Sequence, residues 1–525
     1  MIQVVWHKRD LRLADNQALS AAAQLGPVLP VYVFEPSLMN QPDWAPRHTG
    51  FIIECLVSLR SDYAALGVNL LVCQDEVVNF LTQLRARIGP FDLWSYEETG
   101  NGQSYQRDLA VGAWCCAHAV QWTEIPSNGV VRRLKTRDRW SALWMNRMDG
   151  APLPVPTQIT GATLSEAIVG GAGLQSFDAV RANLRVDAAM EQNARQSGGR
   201  QLAVQTLESF LASRGQHYRK AMSSPLSAQD ACSRLSPYIA FGVLSIRQII
   251  HRLIQARSDL LQHPAFVQPV GFGASLKSFE SRLHWHCHFI QKLESEPQLE
   301  FRNMHRAFDG MRPQASDPIK LAAWQQGQTG YPMIDACMRM LNKTGWVNFR
   351  MRAMLVSFSS YQLWQDWRAP AHHLARQFLD YEPGIHYPQV QMQSGTTGIN
   401  TIRMYNPVKQ AMDHDPQGHF VRQWIPELAR LPTAHLFEPW NTPQLIQLES
   451  SCVIGRDYPE PIVDLVVSSR FARDTVWGVR DEGAFKQEAQ AVFEQHGSRN
   501  PRRNASNRSR KSAAANPNPD QGNLF

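Results

Sequence analysis

The segment "GWVNFRMRAMLVSF", Gly345–Phe358, places two arginines in what otherwise reads as a buried helix. An unpaired guanidinium is costly to bury, so each arginine needs an anionic partner or a way out to water. Two residues along a helix turn it by about 200°, so Arg350 and Arg352 leave on roughly opposite faces. The segment therefore asks for two different anionic neighbours. Just before it, "GYPMIDACMRMLNKTG" reads as a helix that begins at Pro332 and carries an apolar stripe of Ile334, Cys337, Met338 and Leu341. It is closed by Gly345 as a C-cap. Trp346 stands where the two helices meet.

Working outward, the chain of 525 residues exceeds what one small core organises. Residues 1–130 alternate short apolar runs ("IQVVW", "VLPVYVF", "VNLLVC", "FDLWSY", "AVQWTEI") with helix-compatible segments. That pattern predicts a doubly wound parallel sheet. The loop after the first strand, "HKRDLRLADN", has no GxGxxG, so the usual dinucleotide fingerprint is absent. Residues 131–200, rich in Pro, Gly and small side chains, read as a long connector. Residues 201–495 are helical and aromatic in pattern. Residues 496–525 lack apolar periodicity and read as a disordered basic tail. From Ser498 onward six basic residues face one acid, so the tail carries five of the seven net positive charges. The body is then nearly neutral, and any nucleic-acid site must come from a local patch.

The hydrophobic fraction of 43%, with 15 Trp and 22 Phe, is that of a folded protein, and no apolar run is long enough for a membrane span. The first residues look like a strand, not a cleavable signal. None of the eight cysteines forms a CxxC pair, which argues against a zinc site or disulfide framework and fits a reducing cytoplasm.

Three further segments carry candidate chemistry. In "ACSRLSPYIAFG", Ser233 and Ser236 precede a helix start at Pro237, so they either cap it or hold a phosphate there. In "RLHWHCHFIQKL", the histidines at 284, 286 and 288 cannot share one helical face, which argues against a three-histidine metal site. Trp285 beside them could stack a base. In "QFLDYEPGIHYPQVQMQSGTTG", Asp380 and Glu382 are expected at a helix end, because Pro383-Gly384 is read as stopping the helix before a long site-lining loop. Asp380 is a natural partner for one arginine.

Together these segments resemble the photolyase/cryptochrome family. The resemblance runs from "VVWHKRDLRLADN" to "FVRQWIPEL" and includes "SRLSPYIAFG", "WQQGQTGYPMIDACMRMLNKTGW", "DWR" and "RMYNPVKQ". It implies an amino-terminal α/β antenna domain and a helical domain that holds FAD. It implies flavin contacts by Tyr218, Ser233, Leu235, Ser236, Arg282, Trp346, Arg352, Asp380, Glu382 and His386. Arg352 and Asp380 would form the pair beside the flavin ring. Nucleic-acid contacts would fall to Trp285, Phe349, Arg350 and Arg403. The function implied is blue-light repair of cyclobutane pyrimidine dimers in UV-damaged DNA, duplex or single-stranded, by an electron from excited reduced flavin. A folate or deazaflavin type of second antenna chromophore goes with the family, at a site the sequence does not assign.

Several positions depart from the best-studied branches. His386 stands where many photolyases have an asparagine by the flavin, and Arg282 where a glutamate contacts the dimer. Phe349 and Ala353 replace the histidines used on six-four photoproducts. Val390 replaces the tryptophan nearest the flavin in the usual electron chain. Trp367 matches the middle member of that chain, with Trp364 and Trp324 nearby as substitutes. Each of these three tryptophans reads either as a relay or as core packing. Four cysteine ligands for an iron–sulfur cluster are missing, since only Cys452 lies beyond residue 337. A cryptochrome-type photoreceptor with a signalling partner is the alternative, and a flavoprotein without photochemistry is the third reading.

Overall fold

A computed structural model describes residues 1–162, 177–184, 194–262, 270–480 and 483–499. The greater part of the expected basic tail, from residue 500, lies outside them, as does much of the connector.

The amino-terminal half is built on five parallel strands: β1 (Ile2–His7), β2 (Val28–Phe34), β3 (Leu71–Gln74), β4 (Phe91–Tyr96) and β5 (Trp122–Ile125). Their order is β3-β2-β1-β4-β5, with Val4 opposite both Leu29 and Leu93. Helices cover both faces. The central strands therefore read as continuous apolar runs, and every residue of β2 is buried. The sheet and the helical half that follows form the two-domain arrangement expected from the sequence.

The Pro332–Thr344, Phe349–Ser357 and Pro383–Ser394 helices pack around the second core, while the Phe272–Ser295 helix gives its apolar face to the first core and lies against the Pro383–Ser394 helix. Pro332 starts its helix and Gly345, at φ 72°, ends it in the left-handed conformation. The connector also contains structure. A Trp140–Asp149 helix lies there, anchored by Trp140 Nε1 donating to the Gly129 carbonyl at 3.0 Å.

The expected helix stop at Pro383-Gly384 is corrected. The preceding helix ends earlier, at Gln377, and Pro383 opens the Pro383–Ser394 helix. Proline lacks an N–H that a first helical turn leaves unpaired anyway, and its fixed φ suits that position. Asp380 and Glu382 thus sit in a five-residue connection between helices, and residues 383–394 are not loop. Gly384 is there for close packing: a Cβ on it would lie 2.6 Å from Ile290 Cα, on the backbone of the Phe272–Ser295 helix. Gly384→Ala is expected to lower stability by about 3 kcal/mol, read as a drop in the urea midpoint with unchanged slope.

The two halves meet at this connection. Arg47 donates to the carbonyls of Gln377 (2.6 Å) and Asn342 (2.9 Å), and His48 Nε2 lies 2.9 Å from the Phe378 carbonyl. Arg9 pairs with Glu382 at 2.7 Å.

Candidate functional site

A cavity, open in part to solvent, lies between the Phe349–Ser357 and Pro383–Ser394 helices. Its apolar walls are Phe349, Val356, Phe378 and Val390, and its polar edge is Arg352, Asp380, Glu382, His386 and Gln389. Arg352 grips Asp380 with both terminal nitrogens, at 3.0 and 2.9 Å, while Nε donates to the Val347 carbonyl at 2.8 Å. Such a fork is the strongest carboxylate geometry available to a side chain. Burial alone would raise the pKa of Asp380, but the Arg352 charge and hydrogen bonds hold it below the ordinary carboxylate value. Asp380 is therefore an anion at neutral pH.

His386 is pushed down to about 4 by burial. The neutral ring lies with Nε2 2.9 Å from the Ala371 carbonyl, which can only accept, so Nε2 carries the proton. His386 lies in a helix, not in a loop. Glu382 is pushed up by burial, with Arg9 pulling the other way, and its Oε1 is buried without a partner. Gln389 Oε1 is likewise buried and unpaired. Sequence reasoning passed over Gln389, because only the helix start at Pro383 turns it toward the cavity.

Arg350 departs from its neighbour as the helical geometry requires. It lies toward His414, whose pKa its charge helps lower after burial, and Arg350 Nε has no partner. Arg403 is exposed in the strand-free stretch before the Pro407–His414 helix.

Behind the cavity, Arg214, Arg234, Arg282 and Arg352 all act electrostatically on Cys232, which burial nonetheless pushes up to about 12. Arg234 lies 3.9 Å above the Trp346 ring and adopts a left-handed φ of 61°. Arg282 hydrogen-bonds Tyr218. Ser236 hydrogen-bonds Asp380, and Leu235 is fully buried. Ser233, beside Cys232, receives Arg214 Nη2 at its carbonyl (3.3 Å). The helix at Pro237 is only five residues long, Ser236–Ala240, and neither serine caps it by a side-chain hydrogen bond. Arg234 is a site residue that sequence reasoning missed, although a positive charge between two candidate phosphate-side serines is the signal that marks it.

Other expected residues sit apart from the cavity lining. Trp285 contacts His288 (4.8 Å) and Phe289 (5.9 Å) on the Phe272–Ser295 helix. His284 is held between Trp140 and Trp144, and Arg137 donates to His288 at 2.6 Å. Trp367 is buried, donates to Asn303 Oδ1 at 2.7 Å and meets the Tyr387 ring. Trp324 packs on His373 and Trp364 on Phe471. Among the described residues, no group of three or more His, Cys, Asp or Glu is placed to hold a metal, and no helix is long and apolar enough to cross a membrane.

A second cavity, also open in part to solvent, lies at the carboxyl ends of β1 and β2, where doubly wound sheets bind ligands. Lys8, Glu35, Glu98 and Arg107 line it in one ion-pair network: Arg107 reaches Glu35 (2.6 Å), Glu98 (2.5 Å) and Asp108 (2.9 Å). Tyr381 lines both cavities.

Residues 279–478 match the family model "FAD binding domain of DNA photolyase", and residues 3–139 match "DNA photolyase". A deoxyribodipyrimidine photo-lyase of Vibrio cholerae is 28% identical over 465 residues, covering 84% of this chain and 94% of the relative. Cryptochrome-2 of Arabidopsis thaliana is 27% identical, covering 88% and 76%. Among solved structures, a class III photolyase of Agrobacterium tumefaciens superposes with a TM-score of 0.75 at 25% identity, covering 91% and 98%. With the parallel sheet, the helical domain and these motifs in one chain, the protein belongs to the photolyase/cryptochrome family.

FAD is the cofactor of the helical domain, and the residues present fit it. The guanidiniums of Arg214, Arg234, Arg282 and Arg352 gather near Cys232, with Asp380 paired to Arg352 and Asp230 acting on Arg214, a basic setting that suits a pyrophosphate. The cavity offers flat apolar walls and unpaired carbonyl-type acceptors on Gln389 and Glu382 for a ring edge that donates.

Proposed function

We propose that the protein repairs cyclobutane pyrimidine dimers in DNA, driven by blue light. The observation that carries this reading is the division of the two arginines: Arg352 is committed to Asp380 in the cavity wall, and Arg350 leaves on the other face, its Nε without a partner among the described residues. In its reduced, photoexcited form FAD supplies the electron that opens the dimer's cyclobutane ring. The residues of this chain do the rest. The Arg352–Asp380 pair and the guanidiniums around Cys232 hold the cofactor and favour an anionic ring. Phe349 and Val356 exclude water from the reacting face. Arg350 and Arg403 hold strand phosphates while the damaged bases, already poorly stacked, leave the duplex. Trp285 takes part from the neighbouring helix as a stacking surface. Trp367, Trp364 and Trp324 serve as electron relays toward the cofactor.

The cavity at the strand ends is the proposed seat of the second chromophore of folate or deazaflavin type. Arg107, Lys8, Glu35 and Glu98 would hold a polar ring edge there.

The test is loss of dimers from an irradiated oligonucleotide under blue light with a reductant present, and no loss in the dark. Arg350→Ala is expected to weaken DNA binding and reduce its salt slope by about 1, with flavin content unchanged. Equal flavin loss in Arg350→Ala and Arg352→Ala would contradict the division of faces.

A photoreceptor reading has one structural feature in its favour. The Gly483–His496 helix, beyond the family-matched residues, packs back on the body: Phe485 stacks 4.0 Å from His305 and accepts its ring hydrogen bond at 3.0 Å. A receptor would leave dimers intact under illumination while the protease sensitivity of this helix changes.

A further inference from the structure

Val390, in the cavity wall, offers no redox-active ring where the usual electron chain begins. Two tyrosines adjoin the same wall. Tyr381 lines the cavity and packs 5.3 Å from His386, and its hydroxyl donates to Asp43 Oδ2 at 2.5 Å. The Tyr387 hydroxyl lies 3.3 Å from the same oxygen and 3.4 Å from the Tyr381 hydroxyl. The Tyr387 ring stands edge-on to Trp367 at 6.3 Å. All four side chains are buried. The aromatic rings thus form an unbroken series from the cavity to Trp367, and one carboxylate serves both phenols.

Buried tyrosines need a hydrogen-bond partner, and a neutral acceptor would meet that need without the expense of burying a charge. A carboxylate does more, because it can take the phenolic proton. A phenol gives up an electron far more readily when its proton leaves with it, and a short hydrogen bond to a base permits both at once. Burial keeps both phenols protonated in the resting protein.

We propose that Tyr381, with Asp43 as its proton acceptor, is the immediate electron donor when the bound oxidised flavin is photoreduced, and that Tyr387 and Trp367 refill it. One electron leaves the Tyr381 ring for the photoexcited flavin. The phenolic proton moves to Asp43 Oδ2, which leaves a neutral phenoxyl radical and a carboxylic acid. An electron from Trp367, passed through Tyr387, restores the phenol as Asp43 returns the proton. A thiol in solution supplies the last electron and is itself oxidised, which closes the balance; because Trp367 is buried, that electron reaches it across the protein from the surface and not by contact. Glu300, pushed up to about 7 by burial and acting on Tyr387, lies nearby and receives the hydrogen bond of Gly102 N at 2.6 Å.

This inference rests on FAD occupying the cavity. Its test is electron paramagnetic resonance of the FAD-loaded full chain under blue light, alongside the rate of flavin photoreduction. The wild type is expected to give a neutral tyrosyl radical. Tyr381→Phe should lose that signal and photoreduce at least about tenfold more slowly per bound flavin. Asp43→Asn should slow photoreduction similarly and remove its dependence on deuterated solvent. A ring-fluorinated tyrosine at position 381 keeps the fold, and its fluorine couplings must then appear in the radical spectrum. A yellow protein whose spectrum lacks those couplings, or whose Tyr381→Phe variant photoreduces at the wild-type rate, overturns this inference alone. A protein that takes up no flavin overturns the cofactor assignment with it.

Discussion

Arg352→Ala is expected to lose flavin on purification and to be about 3 kcal/mol less stable than the wild type, because it strands a buried carboxylate. Asp380 is buried, and its remaining polar contacts, such as Ser236, do not replace a charged fork. The pH dependence should also change sign. In the wild type the folded pKa of Asp380 lies below its unfolded value, so the pair's contribution is complete above the unfolded carboxylate pKa and is lost as pH falls through the folded one. Without Arg352, burial is opposed only by Ser236, a backbone hydrogen bond and the more distant Arg234 charge, and the folded pKa is expected to rise above the unfolded value. The folded state then binds the extra proton, and the variant should gain stability as pH falls from 7 toward 5. Thermal melts across that range check the prediction, and Asp380→Asn in the Arg352→Ala background should restore most of the neutral-pH loss.

The second large effect is expected at Arg9. Its pairing with Glu382 joins the sheet half to the connection that carries Asp380, and Glu382 is almost fully buried. Arg9 is a quarter exposed, which lowers the expected loss for Arg9→Ala to about 2 kcal/mol. Removing Arg9 leaves burial to push Glu382 up further, so this loss too should shrink on acidification. A double-mutant cycle with Glu382→Gln isolates the pair, with an expected coupling of about 1–2 kcal/mol. Arg9 lines the strand-end cavity and Glu382 the helical cavity, so the cycle also reports whether the two sites share one mechanical wall.

How much of this could be read from the chain depends on sequence distance. The strands were legible because a parallel sheet covered on both faces leaves continuous apolar runs such as "VLPVYVF". Gly345 was legible as a helix end because its positive φ is a local requirement. The divergence of Arg350 and Arg352 followed from helical geometry alone. Pro383-Gly384 misled because the same dipeptide that stops one helix can open another, and only the approach to Ile290 decides between them. The contacts of Asp43 with Tyr381 and of Arg9 with Glu382 span 338 and 373 positions. No periodicity registers such pairs. The Phe349–Ser357 wall of the candidate site could be anticipated as a helix, whereas the Pro383–Ser394 wall, expected as loop, and the junction that clamps the site came only from the assembled fold.

Diffraction from crystals of the FAD-loaded protein tests the central claim most directly. The account predicts flavin ring density between Phe349, Phe378 and Val390, with the Arg352 guanidinium against the ring edge and the pyrophosphate among Arg234, Arg282 and Ser236. Ring density confined to the strand-end cavity beside Lys8 and Arg107, with the helical cavity filled only by solvent, would contradict it.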